Sequence, residues 1–266
     1  MALLHSPFLS CSNHLLSPRL ELPHNQNHSF RKSCLSQSQT TIKSKAVERL
    51  NTEYKPNVLD NLFLSSFRNK MAQEAGWDSD KPGYDGLIDV ANRLMIGRSN
   101  SETTEAAVRI LRSLFPPLLL ELYKLLIAPI AGGKVAAIMV ARVTALSCQW
   151  LMGPCTVNSV NLPDGSSLMT GVFVERCKYL EESKCVGICI NTCKLPTQTF
   201  MKEGMGVPLL MEPNFSDYSC QFKFGVMPPL PEDDIILKEP CLEMCPNSIR
   251  RKQVTNNTKA SKCPKA

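Results

Sequence analysis

Seven of the chain's twelve cysteines fall between Cys177 and Cys245. That density constrains the fold more than any other feature, because thiols concentrate where they bind, react or pack. Three of them, Cys185, Cys189 and Cys193, recur at i, i+4, i+8 in KCVGICINTCK. On an α-helix this spacing lines one face, with Cβ atoms about 6 Å apart. A single zinc, held at about 2.3 Å per sulfur, wants its thiolates closer together. A polynuclear iron–sulfur cluster tolerates the spacing better. Gly187 and Pro196 weaken the helix itself. A second group is Cys241-x3-Cys245-Pro246; a Cys-Pro pair ends the bacterial ferredoxin run, whose other spacings are absent here. The candidate metal ligands are therefore Cys185, Cys189, Cys193, Cys220, Cys241 and Cys245, enough for four thiolates. Redox-active thiols and small buried apolar residues stay open as competing readings. Cys148 and Cys155, in or just after an apolar helix, read as packing. Glu175, Glu181, Glu182 and Glu212 are hard donors near the thiols, but such charges are more often a solvated face.

Histidine narrows the chemistry further. All four (His5, His14, His24, His28) lie in the first thirty residues. Residues 1–45 are also rich in Ser, basic and nearly free of acid, with no sustained apolar stretch. That composition predicts a chloroplast or mitochondrial transit peptide rather than a secretory signal, and Ser richness with few Arg favours the chloroplast. Its removal leaves a chain without histidine, which excludes Ser-His and Cys-His catalysis, His-ligated zinc and the two-His-one-carboxylate iron site. An imported protein sits where thiols are kept reduced, so the cysteines read as metal-binding or redox groups rather than structural disulfides.

The net charge of +6 is concentrated at the ends. Residues 1–45 carry +4 and residues 246–266 carry +6, leaving −4 for the part between. A body of that sign is a poor nucleic-acid binder, because contacts along a phosphate backbone need clustered Lys and Arg, so nucleic acid is not an expected partner. Residues 247–266 are predicted to be a basic, disordered tail.

The body divides into a helical half (56–152) and a Cys-rich part (175–246). From Pro56, Val58, Leu59, Leu62, Phe63, Phe67 and Met71 recur at helical spacing, and Gly76 suits the helix end. Leu87, Ile88, Ala91, Leu94 and Met95 predict a second helix closing at Gly97. Ser99 and Glu102 form a capping box for a third, faced by Ala106, Ile110, Leu111 and Leu114 and broken by Pro116-Pro117. Residues 118–152 are the most apolar. Their second half is nearly long enough to span a bilayer, but a central Arg142 costs a few kcal/mol there. A buried helical hairpin is expected, with an apolar pocket wall or a membrane-surface contact as the functional alternatives. Pro163-Asp164-Gly165 between alternating Val157, Val160, Val172 and Val174 predicts a β-hairpin. VPLLMEP and CQFKFG read as short strands, and Glu232-Asp233-Asp234 as a linker. The fold class is α+β: a mostly helical N-terminal half packed with a small Cys-rich part.

The runs ERCKYLEESKCVGICINTCKLPTQTF, MGVPLLMEPNFSDYSCQFKFG and EPCLEMCP resemble the plant plastid β-carotene isomerase family, the iron-containing dwarf-type family at the entry to strigolactone biosynthesis. The segments YKPNVLDNLFLSSFRNKMAQEAGWDSDKPGYDGLIDVANRLM and RILRSLFPPLLLELYKLLIAPIAGGKVAAIMVARVTALSCQWLMG are most similar to its "like" branch. The resemblance covers Tyr54 to Pro246 and defines one domain. It implies reversible conversion of all-trans-β-carotene to the 9-cis form or other cis isomers, with iron, non-haem or in an iron–sulfur cluster, as cofactor. It implies delivery of the product to a carotenoid cleavage dioxygenase, and a place in the chloroplast stroma or peripheral to plastid membranes. A redox metal would lower the polyene's bond order by one-electron transfer, and a thiol would do so by reversible addition. Neither route needs a general base. From the residues alone, a non-catalytic iron–sulfur, metal or thiol-redox protein remains the alternative.

Overall fold

The computed structural model describes residues 57–246. The expected transit peptide (1–45), Pro56 and the basic tail (247–266) lie outside the described residues.

Helix α1 (Val58–Ala75) opens with a reciprocal cap. The Asn57 side chain accepts from the Asp60 backbone N–H at 3.0 Å, and the Asn57 N–H donates to the Asp60 carboxylate at 2.7 Å. Its C-terminus turns at Gly76, with φ of 65°, a left-handed conformation that glycine adopts without penalty. The predicted apolar face is buried only in part. Phe67 and Met71 are in the core, while Val58, Leu59, Leu62 and Phe63 are exposed. Helix α2 (Gly83–Met95) buries Leu87, Ile88, Ala91, Leu94 and Met95, as its periodicity predicts. Helix α3 (Asn100–Ser113) carries the expected Ser99–Glu102 capping box. These helices share one core with Tyr179, Cys185, Ile188 and Cys245.

The expected buried hairpin of residues 118–152 forms only in part. Helix α5 (Lys134–Ser147) lays Ala136, Ala137, Val140, Ala141 and Ala145 on the sheet. Short side chains let its backbone approach closely. Helix α4 (Leu119–Leu126) buries only Leu120. Leucines run all round α4, yet one side alone has a partner: Leu120 reaches Gly204. The rest stay on the surface. Helix α6 (Gln149–Met152) then leads through Gly153 into the sheet.

The sheet has four antiparallel strands in the order β1-β2-β4-β3. The predicted hairpin is β1 (Cys155–Asn161) and β2 (Ser167–Val174), paired Val157 to Val172. Strands β3 (Leu209–Pro213) and β4 (Cys220–Phe224) are the two other predicted strands. Both alternate, with Leu209, Met211 and Pro213, and Cys220, Phe222 and Phe224, facing inward. At Gly171 on β2 a Cβ would lie 2.0 Å from the Asn158 side-chain oxygen. Its absence makes room for a pair of amides: Asn158 Nδ2 donates to Gln221 at 2.7 Å, and Gln221 Nε2 donates back at 3.0 Å.

Between β2 and β3 comes α7 (Lys178–Ser183), then one long helical run from Val186 to Gly204. The run is irregular. It begins as α8 (Val186–Ile188), widens into a π turn over Cys189–Lys194, tightens as α9 (Leu195–Thr199) and widens again over Phe200–Gly204. Pro196 has no N–H to offer the preceding turn. The wide turn before it places that missing donor where the i to i−4 pattern is already broken.

Candidate functional site

The two widened turns face the inner side of β3 and β4, and a cavity of about 200 Å³ lies between them. Its wall draws on every layer: Phe67 of α1, Leu111 of α3, Thr144 of α5, Trp150 of α6, Cys189 of the π turn and Phe222 of β4. Aromatic rings define its shape. Phe67 meets Trp150 edge-on at 5.7 Å between ring centres, and Phe115 stacks on Phe200 at 5.5 Å. Helix α4, expected as a wall, lies outside the lining, and α5 contributes only Thr144 near its end.

Five thiols line this space: Cys148, Cys177, Cys189, Cys193 and Cys220. The regular helix expected for Cys185, Cys189 and Cys193 is not what forms. Cys185 has extended backbone (φ −131°) and precedes the helix, and the π turn then rotates the next two cysteines. Cys189 and Cys193 thus face the cavity together with Cys220 from the sheet. Cys185 turns to the other core, where its thiol pairs with that of buried Cys245. Cys241 packs beside them, half-buried. The six candidate ligands are therefore divided, three at the cavity and three at the helical core. Cys177, not among the six, joins the cavity, as does Cys148, read from sequence as packing.

Burial governs the state of these thiols. Removal from water pushes Cys193 up to about 12 and Cys185 to about 11. Cys189 and Cys220 are raised well above the ordinary value, again first by burial and then by the neighbouring thiols. Near neutral pH the cavity therefore presents neutral S–H groups. A bound metal would have to displace those protons. Soft sulfur donors suit iron or an iron–sulfur cluster by type. As placed, however, the described residues contain no group of three or more His, Cys, Asp or Glu side chains that could hold a metal ion. Donor type and donor geometry thus disagree.

One charge reaches the cavity, and the sequence offered no periodic signal for it. Lys194 is fully buried at the end of the first π turn. Its ammonium donates to Asp234 Oδ2 at 2.5 Å and to Gln198 Oε1 at 3.3 Å. Gln198 Oε1 also accepts from the Met211 backbone N–H at 2.9 Å. This network joins the helical run, the sheet and the segment after it. Asp234, expected in a solvated linker, is instead 5% exposed. Asp234 also accepts from the Ile236 N–H at 3.1 Å, which starts a 3₁₀ turn at Ile235–Lys238. The ammonium lowers Cys189 and Cys220 somewhat, but less than burial raises them. Glu181 and Glu212 pair with Arg176 and Lys223 at the surface, and Glu175 and Glu182 are exposed.

Residues 150–233 match the C-terminal region of the β-carotene isomerase D27-like family. The chain is 33% identical over 221 residues to "Beta-carotene isomerase D27, chloroplastic" of Medicago truncatula, covering 82% of this chain and 84% of that protein. It is also 33% identical over 210 residues to the protein of the same name in Arabidopsis thaliana, covering 76% and 78%. No solved structure matches. The family match spans β1 to β4 and the whole run of π turns, so it contains most of the cavity and ends one residue short of Asp234.

Proposed function

The chain belongs to the D27-like β-carotene isomerase family, and from that premise we propose that it is a plastid carotenoid cis–trans isomerase working at the thiol-lined cavity. The observation that carries the reading is an almost wholly apolar cavity lined by five thiols. A hydrocarbon polyene has no polar group to recognise, so its site must select by shape and by exclusion of water. Pockets for small molecules commonly hold about 300–1,000 Å³, so this smaller space takes one segment of the polyene. The double bond to be turned is the one brought to the sulfurs.

Trans–cis conversion requires the double bond to lose its π overlap for as long as rotation takes. The chain's own residues supply one route. A neutral cavity thiol adds its sulfur and its proton across one C=C, forming a C–S and a C–H bond. The former double bond is now single and rotates. Loss of the same thiol restores the double bond as cis or trans, with sulfur, proton and electrons back where they began. The S–H form that burial enforces is the form this addition consumes. Phe67, Trp150, Phe115 and Phe200 keep water from the intermediate. The specific product is proposed to be 9-cis-β-carotene, passed to a carotenoid cleavage dioxygenase on the way to strigolactone precursors.

Incubation of purified protein with all-trans-β-carotene, followed by chromatographic separation of isomers, tests the function. A cis isomer above the heat-only control is expected, and none sinks the reading. The same reaction in D₂O should place deuterium on the polyene, since the proton delivered need not be the one removed. Deuterium on the recovered polyene would support thiol addition; isomerisation without it would mean that the same proton returns or that another route operates, and leaves the function intact. Iron content measured on the same preparations asks whether any thiols hold metal. Loss of iron in Cys189→Ser or Cys220→Ser would assign it to the cavity, and loss in Cys185→Ser or Cys245→Ser to the helical core.

A further inference from the structure

Eight exposed large apolar side chains fall between Leu114 and Ile130. Leu118 is 69% exposed, Leu122 51%, Leu125 71% and Leu126 60%, with Ile130 at 45%. Scattered exposed leucines need no explanation, but so many in seventeen consecutive residues form a patch. The backbone also holds it out under strain. Leu118 has φ of 70° and Ala131 φ of 51°, both in the left-handed region that residues with a Cβ avoid. A leucine kept in that conformation only to face water would have no return.

The patch is continuous with the cavity. Of the cavity's lining residues, Leu114 and Phe115 are the most exposed, at 37% each, and they begin this segment. Phe115 stacks on Phe200, and Leu120 anchors α4 over the adjoining Gly204. Helix α5 carries a second exposed stripe, Met139, Val143 and Leu146, with exposed Arg142 on the same face. Within residues 112–147 the charges are Arg112, Lys124, Lys134 and Arg142 with Glu121. Arg112 faces Glu203 at 3.9 Å, Lys134 pairs with Asp164 at 2.6 Å and Lys124 donates to the Glu203 carbonyl at 2.8 Å, all at the surface, while Arg142 stands on the exposed stripe itself. Apolar side chains interleaved with long basic ones, whose stems lie along oil and whose heads reach phosphates, match the plane of a bilayer surface.

We propose that the segment Leu114–Ile130 is the face by which this protein lies on a lipid bilayer, so that the cavity mouth at Leu114 and Phe115 opens toward the acyl chains. The proposal rests on the isomerase reading for the cargo, since a polyene dissolved in acyl chains then reaches the thiols without crossing water. The contact is interfacial. Ile130–Ser147 is apolar and long enough to cross a membrane, but a third of it is buried in the fold and Arg142 sits inside it. Helix α4, with eight residues, is far too short to span.

The test uses full-length protein, phosphatidylcholine vesicles with and without an anionic phospholipid, and the variant Leu122→Glu/Leu125→Glu. Wild type should float with vesicles, more strongly with the anionic lipid, and the variant should bind roughly tenfold less or worse. Thermal unfolding should be nearly unchanged, because both residues are exposed. Isomerisation of carotene embedded in vesicles should fall with binding, while isomerisation of detergent-dispersed carotene should not. Vesicle binding with no turnover in either format would sink the isomerase reading and leave the docking face standing. Failure of wild type to float, or equal flotation of the variant, would overturn the proposal. So would a wild-type dimer that the variant converts to monomer, which would assign the patch to a second copy of the chain.

Discussion

The two cores of this protein are built by opposite rules. In the helical core, Leu87, Val90 and Leu94 are completely buried among large neighbours such as Phe67, Met71 and Ile110. Its two buried thiols, Cys185 and Cys245, behave there as small hydrophobes. The second core sets the alanine face of α5 against Val172, Val174, Leu209 and Phe224. Cys177 and Cys193 touch both cores, and the cavity lies where the two meet. The residues at that seam are mostly thiols, methionines and rings, with Leu111, Leu114, Leu151 and Leu180 among them. A seam filled to the density of the helical core would be more stable and would admit nothing.

The contrast can be broken most severely at Lys194. Lys194→Met leaves Asp234 as an unpaired buried carboxylate and should cost about 3–5 kcal/mol of stability. Adding Asp234→Leu should restore most of it, because the double variant leaves no orphan charge. Denaturant unfolding of the three proteins checks both statements, and a double variant as weak as the single one would show that the pair does more than neutralise itself. Next comes Leu94→Ala, which opens a void in the closed core and should cost about 3 kcal/mol. Isomerisation per folded molecule should be unchanged, since Leu94 does not line the cavity. Smaller is the difference between two cysteines. Cys185→Ala and Cys189→Ala should each destabilise by about 1–2 kcal/mol, yet only Cys189→Ala should also slow isomerisation. Equal loss of turnover in both would erase the functional distinction between the two sets of thiols. Ser99→Ala removes one half of a capping box and should cost about 1 kcal/mol, read as a small shift in melting temperature.

The last test has no effect at neutral pH. Burial raises Cys193 from 9.0 to about 12, so folding favours the protonated thiol. Below pH 9 folded and unfolded chains are both protonated there, and the thiol's contribution is fully present. Between pH 9 and about 12 the unfolded chain releases the proton first, and stability falls. Melting temperature followed from pH 8 to 11 should decline, and less steeply in Cys193→Ala.

Much of the scaffold was legible without coordinates. Helix α2 announces itself by the spacing of Leu87, Ala91 and Leu94, and α3 by Ser99 and Glu102, because both signals are local. The β1–β2 hairpin follows from Pro163-Asp164-Gly165 between alternating valines. The seam was less legible. Cys185, Cys189 and Cys193 read as one face because a periodicity of 3.6 was assumed. The π turn over Cys189–Lys194 breaks that period and sends Cys185 to the other core. Asp234 read as linker because its partner, Lys194, is forty residues away. Helix α4 read as half of a buried hairpin because hydropathy reports what a residue prefers, not which neighbours reach it.

The sequence by itself determined the kinds of chemistry open to this protein: no histidine in the described body, a concentration of thiols and a long apolar stretch. These are compositional facts that no folding can alter. Only the tertiary structure decided which thiols share a cavity, which charge is buried beside them and which leucines remain outside. Those are outcomes of long-range packing. A π turn, an ion pair across forty residues and an unpartnered helix face each depend on what two distant segments do when they meet.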